Sequence, residues 1–312
     1  MPDRRQTDRT MKNLLVIAAC CALVAACESP ETSQSGAAMD QEMSQSSVAN
    51  VQPSIEQPNQ ATFVLVHASW SGGYVWKYVA PLLRERGHTV YTPTLTGLGE
   101  KVHLGSPDVD LDTHINDVVN VLIYEDLEDV ILVGHSYGGM VITGALDRVP
   151  ERLKHVVYLD AEVPRDGDTD FDFWLEADVA AMEQSVRETG DGWKAFAGSA
   201  AEIEAFFGPW IPDAERRRWV VAKMASNAQP INTLRQPIRL SNPAADSVSR
   251  TFVRLPVDGE VWADIYDPIV ERVRDDPLWN VIELPSNHMA PIVNPELVAE
   301  ALLEILGNLE DR

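Results

Sequence analysis

The polarity of the chain changes abruptly at Ala61. Ahead of it, residues 28–60 read ESPETSQSGAAMDQEMSQSSVANVQPSIEQPNQ, rich in Ser, Gln, Pro and Glu and without a sustained apolar period. After it, short apolar runs alternate with longer segments that are apolar on one face. ATFVLVH (61–67) is β-branched and ends in a Gly/Ser loop, so it is expected to be a strand. Tyr74 to Arg86 has helical spacing and Gly87 stops it, and HTVYTP (88–93) is a second strand cut off by Pro93. Leu111 to Tyr124 is an amphipathic helix, with Asp112 the expected cap of its first turn. DVILVG, a helix over Met140 to Leu146, and LKHVVYLDA (153–161) form a further strand–helix–strand unit. RTFVRL (250–255), WNVIELP (279–285) and a closing helix from Pro295 to Leu306 complete the pattern.

Buried strands alternating with helices predict an α/β fold, a mostly parallel sheet with helices on both faces. Residues 61–162 and 250–312 supply that alternation. Residues 163–249 do not: they are helical in pattern and dense in large aromatics, among them Phe171, Trp174, Trp193, Phe207, Trp210 and Trp219. They are expected to form a helical cap inserted between two strands. No internal repeat is visible.

Composition then narrows the classes. With 312 residues and 45% hydrophobic content the chain can bury a sizeable core. Its 25 basic and 48 acidic residues leave a net charge of −23, which argues against a nucleic-acid partner. All three cysteines fall at the start, Cys20, Cys21 and Cys27. Arg4, Arg5, Arg9 and Lys12 precede the apolar run LLVIAACCALVAA, the pattern of an export signal, with Met11 an alternative start. The run is short for a membrane span. It ends in Val24-Ala25-Ala26-Cys27, which resembles the lipobox of bacterial lipoproteins, where the cysteine is acylated before it becomes the new N-terminus. Residues 1–26 are thus expected to be a signal peptide, Cys27 the lipidation site, and 27–60 a disordered tether. Each buried methylene of an acyl chain adds about 0.8 kcal/mol, so a multiply acylated Cys27 would hold a membrane firmly. The expected location is the periplasmic side of a bacterial membrane.

The chemistry centres on VILVGHSYGGMVITG (130–144). A strand, a tight turn and a helix surround Gly134-His135-Ser136-Tyr137-Gly138, so the G-x-S-x-G pattern reads as a nucleophile elbow. The glycines make room for a strained turn that lifts the Ser136 hydroxyl to the carboxyl edge of the sheet. A serine hydroxyl needs a base to take its proton. His288, in LPSNHMAPIVNPE after the last strand, stands where this architecture supplies one. His67 and His135 flank the site as turn residues, and His88, His103, His114 and His155 are expected at the surface or in packing. Two carboxylates follow strands on the correct edge and can orient the imidazole: Asp258, after RTFVRLPV, is favoured, and Asp160, at the end of VVYLD, is the alternative. The backbone N–H of Tyr137 and that of Ser69, in the loop HASWSGG, are the expected oxyanion donors. No HExxH or paired-cysteine pattern occurs, so neither a metal nor another cofactor is expected.

Together FVLVHASWSGGYVWKYVAPLL, VILVGHSYGGM, FFGPW, RTFVRLPVDGE and IELPSNHMA resemble the α/β-hydrolases that include plant methylesterases and hydroxynitrile lyases. The resemblance runs from about Thr62 to Leu306 and implies the α/β-hydrolase fold. It places Ser136, Asp258 and His288 on the family's catalytic triad, and Ser69 and Tyr137 on its oxyanion donors. The chain departs from the family in having His67-Ala68 where esterases have His-Gly, and Leu255-Pro256-Val257 before Asp258 in place of Cys-Thr-Glu. The lyases carry a lysine after the catalytic histidine and a threonine after the first-strand histidine. Met289 and Ala68 stand there and can neither hold a cyanohydrin nor stabilise cyanide.

The resemblance therefore implies ester hydrolysis rather than C–C cleavage. A serine carboxylesterase acting on a small to moderate apolar or aromatic ester is the expected function. A lactone, thioester or amide hydrolase with the same triad, or a ligand-binding receptor on the same fold, are the alternatives. Dehalogenase and epoxide hydrolase chemistry would need an aspartate at Ser136.

Overall fold

The structure is a computed structural model that describes residues 60–310, the side chains of 258–260 excepted. The expected signal segment, Cys27 and nearly all of the expected tether lie outside the described residues. Six strands form one parallel sheet: β1 (Thr62–Val66), β2 (Thr89–Tyr91), β3 (Val130–Ser136), β4 (Leu153–Ala161), β7 (Arg250–Arg254) and β8 (Trp279–Glu283). Their spatial order is β2-β1-β3-β4-β7-β8. β5 (Lys194–Phe196) and β6 (Ala228–Pro230) make a separate antiparallel ribbon inside the stretch between β4 and β7.

Alternation along the strands decides which helix packs where. Phe63, Leu65, Ile131, Val133, Val157 and Leu159 point to one face and join α1 (Val79–Glu85) and the closing helix α10 (Pro295–Glu310) in one core. Val64, Val66, Leu132, Val156, Tyr158 and Phe252 point to the other. There they meet α2 (Leu111–Tyr124), α3 (Gly138–Arg148) and α8 (Ala263–Val273). Both faces of the sheet are covered, as a continuous apolar strand requires.

Two local expectations change. α2 is capped by Asp110, not Asp112: Asp110 accepts from the Thr113 N–H at 2.9 Å while Asp110 N–H meets Thr113 Oγ1. Asp112 lies one turn in and bonds the side chains of Arg148 and Gln236 instead. The region between β4 and β7 is helical, with α4 (Glu176–Glu188), α5 (Ala200–Phe207), α6 (Ala214–Ala225) and the short α7 (Asn232–Arg235), but it also holds the β5–β6 ribbon. That ribbon reaches the loop after β1. Gln229 Oε1 accepts the Trp70 N–H at 3.0 Å, and the Ala195 carbonyl accepts the Trp70 indole N–H at 2.9 Å.

α3 packs so closely on the end of β4 that a Cβ on Gly139 would lie 2.0 Å from the Glu162 carbonyl oxygen. Gly139→Ala is expected to cost about 2–3 kcal/mol through overpacking, lowering Tm by roughly 5–10 °C. At Gly307, inside α10, an added Cβ meets nothing within 4 Å. Gly307→Ala is expected to raise stability by about 0.5–1 kcal/mol by narrowing the unfolded ensemble. Thermal unfolding of the two variants checks both signs.

Candidate active site

Ser136 ends β3 with a φ of +54°, in the left-handed region that costs a non-glycine residue about 1–3 kcal/mol. Its neighbours explain how the turn closes. A Cβ on Gly134 would come within 2.7 Å of the Gly138 carbonyl oxygen, and one on Gly138 within 3.0 Å of the carbonyl oxygens of Val66 and His67. Both outer positions of the motif therefore require glycine. Tyr137 begins α3, and its buried hydroxyl donates to His114 Nδ1 at 2.8 Å while His114 Nε2–H donates to the Thr96 carbonyl, also at 2.8 Å. Burial pushes His114 down to about 4, so the ring is neutral and Nδ1 is free to accept.

His288 follows β8 and is buried. Two contacts fix its orientation. His135 Nε2–H donates to the His288 carbonyl at 2.8 Å, with burial holding His135 neutral at about 3. The Trp262 ring stacks on the imidazole, centroids 4.4 Å apart at 26°. Tyr266 from α8 lies nearly parallel to it at 5.8 Å.

The carboxylate described on His288 Nδ1 is Asp160, with Oδ2 at 2.9 Å. Its position depends on a slip in register. His135 faces Leu159 across the sheet and Ser136 faces Ala161, which leaves Asp160 in a bulge at φ +43°. A bulge re-aims the side chain that it carries. The other oxygen, Oδ1, accepts from an Arg254 guanidinium nitrogen at 2.9 Å and from the Leu255 N–H at 3.1 Å. Arg254 Nε in turn reaches Asp267 at 3.0 Å. Asp160 is fully buried, and that burial pushes its carboxyl up to about 7 against the pull of Arg254 and the Leu255 N–H. Asp258 lies in the 3-10 turn Pro256–Val261 after β7, and its side chain is outside the described residues.

Ser69, Ser136 and His288 line one cavity of about 70 Å³, whose walls include Trp70, Phe207, Met224 and Trp262. The remaining flanking histidine, His67, is structural. Leu95 N–H donates to its Nε2 at 3.1 Å and its Nδ1–H donates to the Ala68 carbonyl at 2.8 Å. His135 was expected to flank the site, but the sequence did not point to Arg254 as the partner of Asp160 or to Trp262 as the ring stacked on His288. Arg254 adjoins a named motif residue, while Trp262 had no signal beyond its aromatic character. Among the described residues no group of three His, Cys, Asp or Glu side chains is placed to hold a metal ion.

Comparison with known proteins bears on the fold and the family. A sequence model of the alpha/beta hydrolase family matches residues 63–301. The carbendazim hydrolyzing esterase of Nocardioides sp. (strain SG-4G) is 35% identical over 252 residues, covering 78% of this chain and 98% of its own. Methylesterase 1 of Arabidopsis thaliana is 24% identical over 261 residues, 80% of this chain and 97% of that protein. Among solved structures, an extracellular alpha/beta-hydrolase from a Paenibacillus species superposes with a TM-score of 0.65 at 24% identity, over 78% of this chain and 98% of the other. An Arabidopsis methylesterase does so at 0.64 and 24% identity, over 79% and 99%. These superpositions bear on the fold, and the sequence matches on the family. The chain belongs to the alpha/beta hydrolase family, as a carboxylesterase-type hydrolase.

Proposed function

We propose that the protein cleaves carboxylic esters through an acyl-enzyme formed on Ser136, with His288 as base and Asp160 as the orienting acid. The observation that carries this reading is the 2.9 Å contact between Asp160 Oδ2 and His288 Nδ1, on an imidazole that lines the same cavity as Ser136. His288 takes the Ser136 proton as the oxygen attacks the ester carbonyl. The N–H groups of Ser69 and Tyr137 stabilise the tetrahedral oxyanion. Collapse expels the alcohol, which receives the proton from His288, and a water activated by the same imidazole releases the acid. Asp160 holds the imidazole in the tautomer with Nδ1–H and stabilises the imidazolium formed midway.

A cavity of about 70 Å³ holds little more than two waters. A substrate of moderate size enters only as Phe207, Met224 or Trp262 shifts, and these side chains select an apolar or aromatic group. The names of the relatives make methyl esters and carbendazim the first compounds to try.

We further propose that the hydrolase is exported and held at a membrane through acylated Cys27, on the strength of the basic start, the apolar run and Val24-Ala25-Ala26-Cys27.

Four outcomes check these readings. Ser136→Ala is expected to lower kcat for p-nitrophenyl butyrate by about 10⁴-fold or more and to abolish labelling by a fluorophosphonate; undiminished turnover refutes the acyl-enzyme. Asp160→Asn is expected to cost about 10⁴-fold in kcat, and the same loss in Asp258→Asn instead would move the acid to Asp258. In the wild type, kcat/KM rises with pH through about 7 as Asp160 ionises. Removing the adjacent cation disfavours the carboxylate, so Arg254→Leu is expected to move that limb at least about one unit higher and to cost about 1–3 kcal/mol of stability by leaving a buried carboxyl oxygen with one partner fewer. For the anchor, Cys27→Ser is expected to shift the protein from the membrane to the soluble fraction and to end palmitate labelling; labelling that persists removes Cys27 as the site.

A further inference from the structure

Trp70 follows Ser69 in the loop after β1 and stands at φ +53° although it is not a glycine. Its polar groups are all taken by the segment between β4 and β7. Gln229 Oε1 accepts the Trp70 N–H at 3.0 Å, Asn227 Nδ2 donates to the Trp70 carbonyl at 2.9 Å, and the Ala195 carbonyl accepts the indole N–H at 2.9 Å. Asn227 immediately precedes β6 and Gln229 lies within it. A separation of two puts side chains on one side of an extended backbone. Both amides are buried, at 2% and 0% exposure.

The Gln229 amide can sit only one way round. Its Nε2–H donates to Thr233 Oγ1 at 3.0 Å, and the Thr233 hydroxyl hydrogen is already engaged with the Pro230 carbonyl at 2.7 Å. Thr233 Oγ1 can therefore accept but not donate, which turns Gln229 Oε1 toward Trp70. Asn227 is fixed in the same manner: its Oδ1 accepts the Gly99 N–H at 2.7 Å, leaving Nδ2 for Trp70. The turn after β6 also reaches the second expected oxyanion donor, since the Thr233 carbonyl lies 3.4 Å from the Tyr137 hydroxyl.

These bonds decide which way Ser69 faces. A trans peptide is planar, with its N–H and C=O pointing opposite ways, and no cis peptide occurs among the described residues. The peptide before Ser69 is held by its carbonyl, where Ala68 accepts from His67 Nδ1 at 2.8 Å. The peptide after it is held at both ends, by Gln229 on the Trp70 N–H and by the Ser71 hydroxyl, which donates to the Ser69 carbonyl at 3.1 Å. The Ser69 N–H between these two planes is fixed in direction, and among the described residues no acceptor takes it. A developing oxyanion needs such a donor, free, in the wall it shares with Ser136 and unable to turn away.

We propose that Asn227 and Gln229 are positioning residues for the oxyanion hole, clamping Trp70 so that the Ser69 N–H stays aimed at the charge formed on the ester carbonyl. This deepens the reading of Ser136 as the nucleophile and rests on it. Neither residue lines the cavity, so the clamp acts through Ser69 and its loss falls on kcat rather than KM.

The test compares the full-length wild type with Gln229→Leu, which keeps a side chain of similar size and removes the acceptor. With p-nitrophenyl butyrate, kcat is expected to fall about tenfold or more while KM stays within about twofold. Two ketones separate an oxyanion effect from general loosening. Phenyl trifluoromethyl ketone takes the Ser136 oxygen onto its carbonyl carbon; the carbonyl oxygen gains the negative charge and the serine proton passes to His288. Acetophenone binds without that addition. Gln229→Leu is expected to bind the first about tenfold more weakly and the second within about twofold of the wild type. Thr233→Val, which frees the Gln229 amide, is expected to lower kcat about threefold or more, and Thr233→Ser, which restores the acceptor, to bring it back. That pair decides the matter where Gln229→Leu does not fold. Turnover by Gln229→Leu equal to that of the wild type, equal weakening of both ketones, or equal kcat in the two Thr233 variants overturns the clamp. Where the wild type still turns over ester and takes a fluorophosphonate label, such a result leaves the nucleophile reading standing. A wild type that takes no label removes both.

Discussion

The site depends on one buried acid being held between a guanidinium and an imidazole. Asp160 sits at zero exposure with a permanent cation, Arg254, on one oxygen and the His288 ring on the other. Without Arg254 the cost of burying the charge would protonate the acid. With Arg254 alone, and no outlet for the guanidinium, the pair would be so well matched that little charge remained to favour an imidazolium. Asp267 supplies that outlet on Arg254 Nε, and it is largely exposed. The line Asp267–Arg254–Asp160–His288 thus runs from solvent to the cavity that Ser136 lines, with like charges kept apart by an arginine.

The same carboxylate constrains the backbone. Asp160 reaches His288 only because β3 and β4 slip by one residue at their carboxyl ends, and the slip falls where Ser136 leaves the strand. Two adjacent strands therefore carry left-handed residues at one edge, Ser136 and Asp160. The strain is tolerated because the neighbourhood leaves no alternative: the glycines around Ser136 are packed against the carbonyls of Val66, His67 and Gly138. The loop after β1, which carries Ser69, is fixed from the opposite direction. Trp70, itself at φ +53°, is held by Gln229 and Ala195, and Asn227 Nδ2 donates to its carbonyl at 2.9 Å. The segment between β4 and β7 thus does more than roof the site, since it fixes the backbone next to Ser69.

Much of this was legible in the chain and some was not, for physical reasons that differ by residue. Apolar runs bounded by turn residues located the sheet strands because buried parallel strands have few other ways to be written. Ser136 was readable because a strained turn leaves a glycine signature on both sides, and His288 because only one histidine follows the last strand. The orienting acid was harder. Strand ends are visible in sequence, but a register slip is not, so Asp160 and Asp258 could be weighed and not separated. α8 went unnoticed although Tyr266, Ile269, Val270 and Val273 repeat at helical spacing; Pro268 and the acidic residues between them obscured the period. The β5–β6 ribbon has strands of three residues, too short for alternation to be seen.

Burial of polar groups in this domain follows two rules, and the contrast between them identifies what each group is for. His67, His114 and His135 are buried, neutral and fully engaged through both or one of their nitrogens with backbone or Tyr137, so they fix geometry. Asp160 is buried and hydrogen-bonded on both oxygens, and Arg254 opposes the burial that pushes its carboxyl up to about 7. Glu162, Asp170 and Tyr266 are buried and leave oxygens unpaired. Each such oxygen loses its hydration without a replacement from the fold, which lowers stability rather than adding to it.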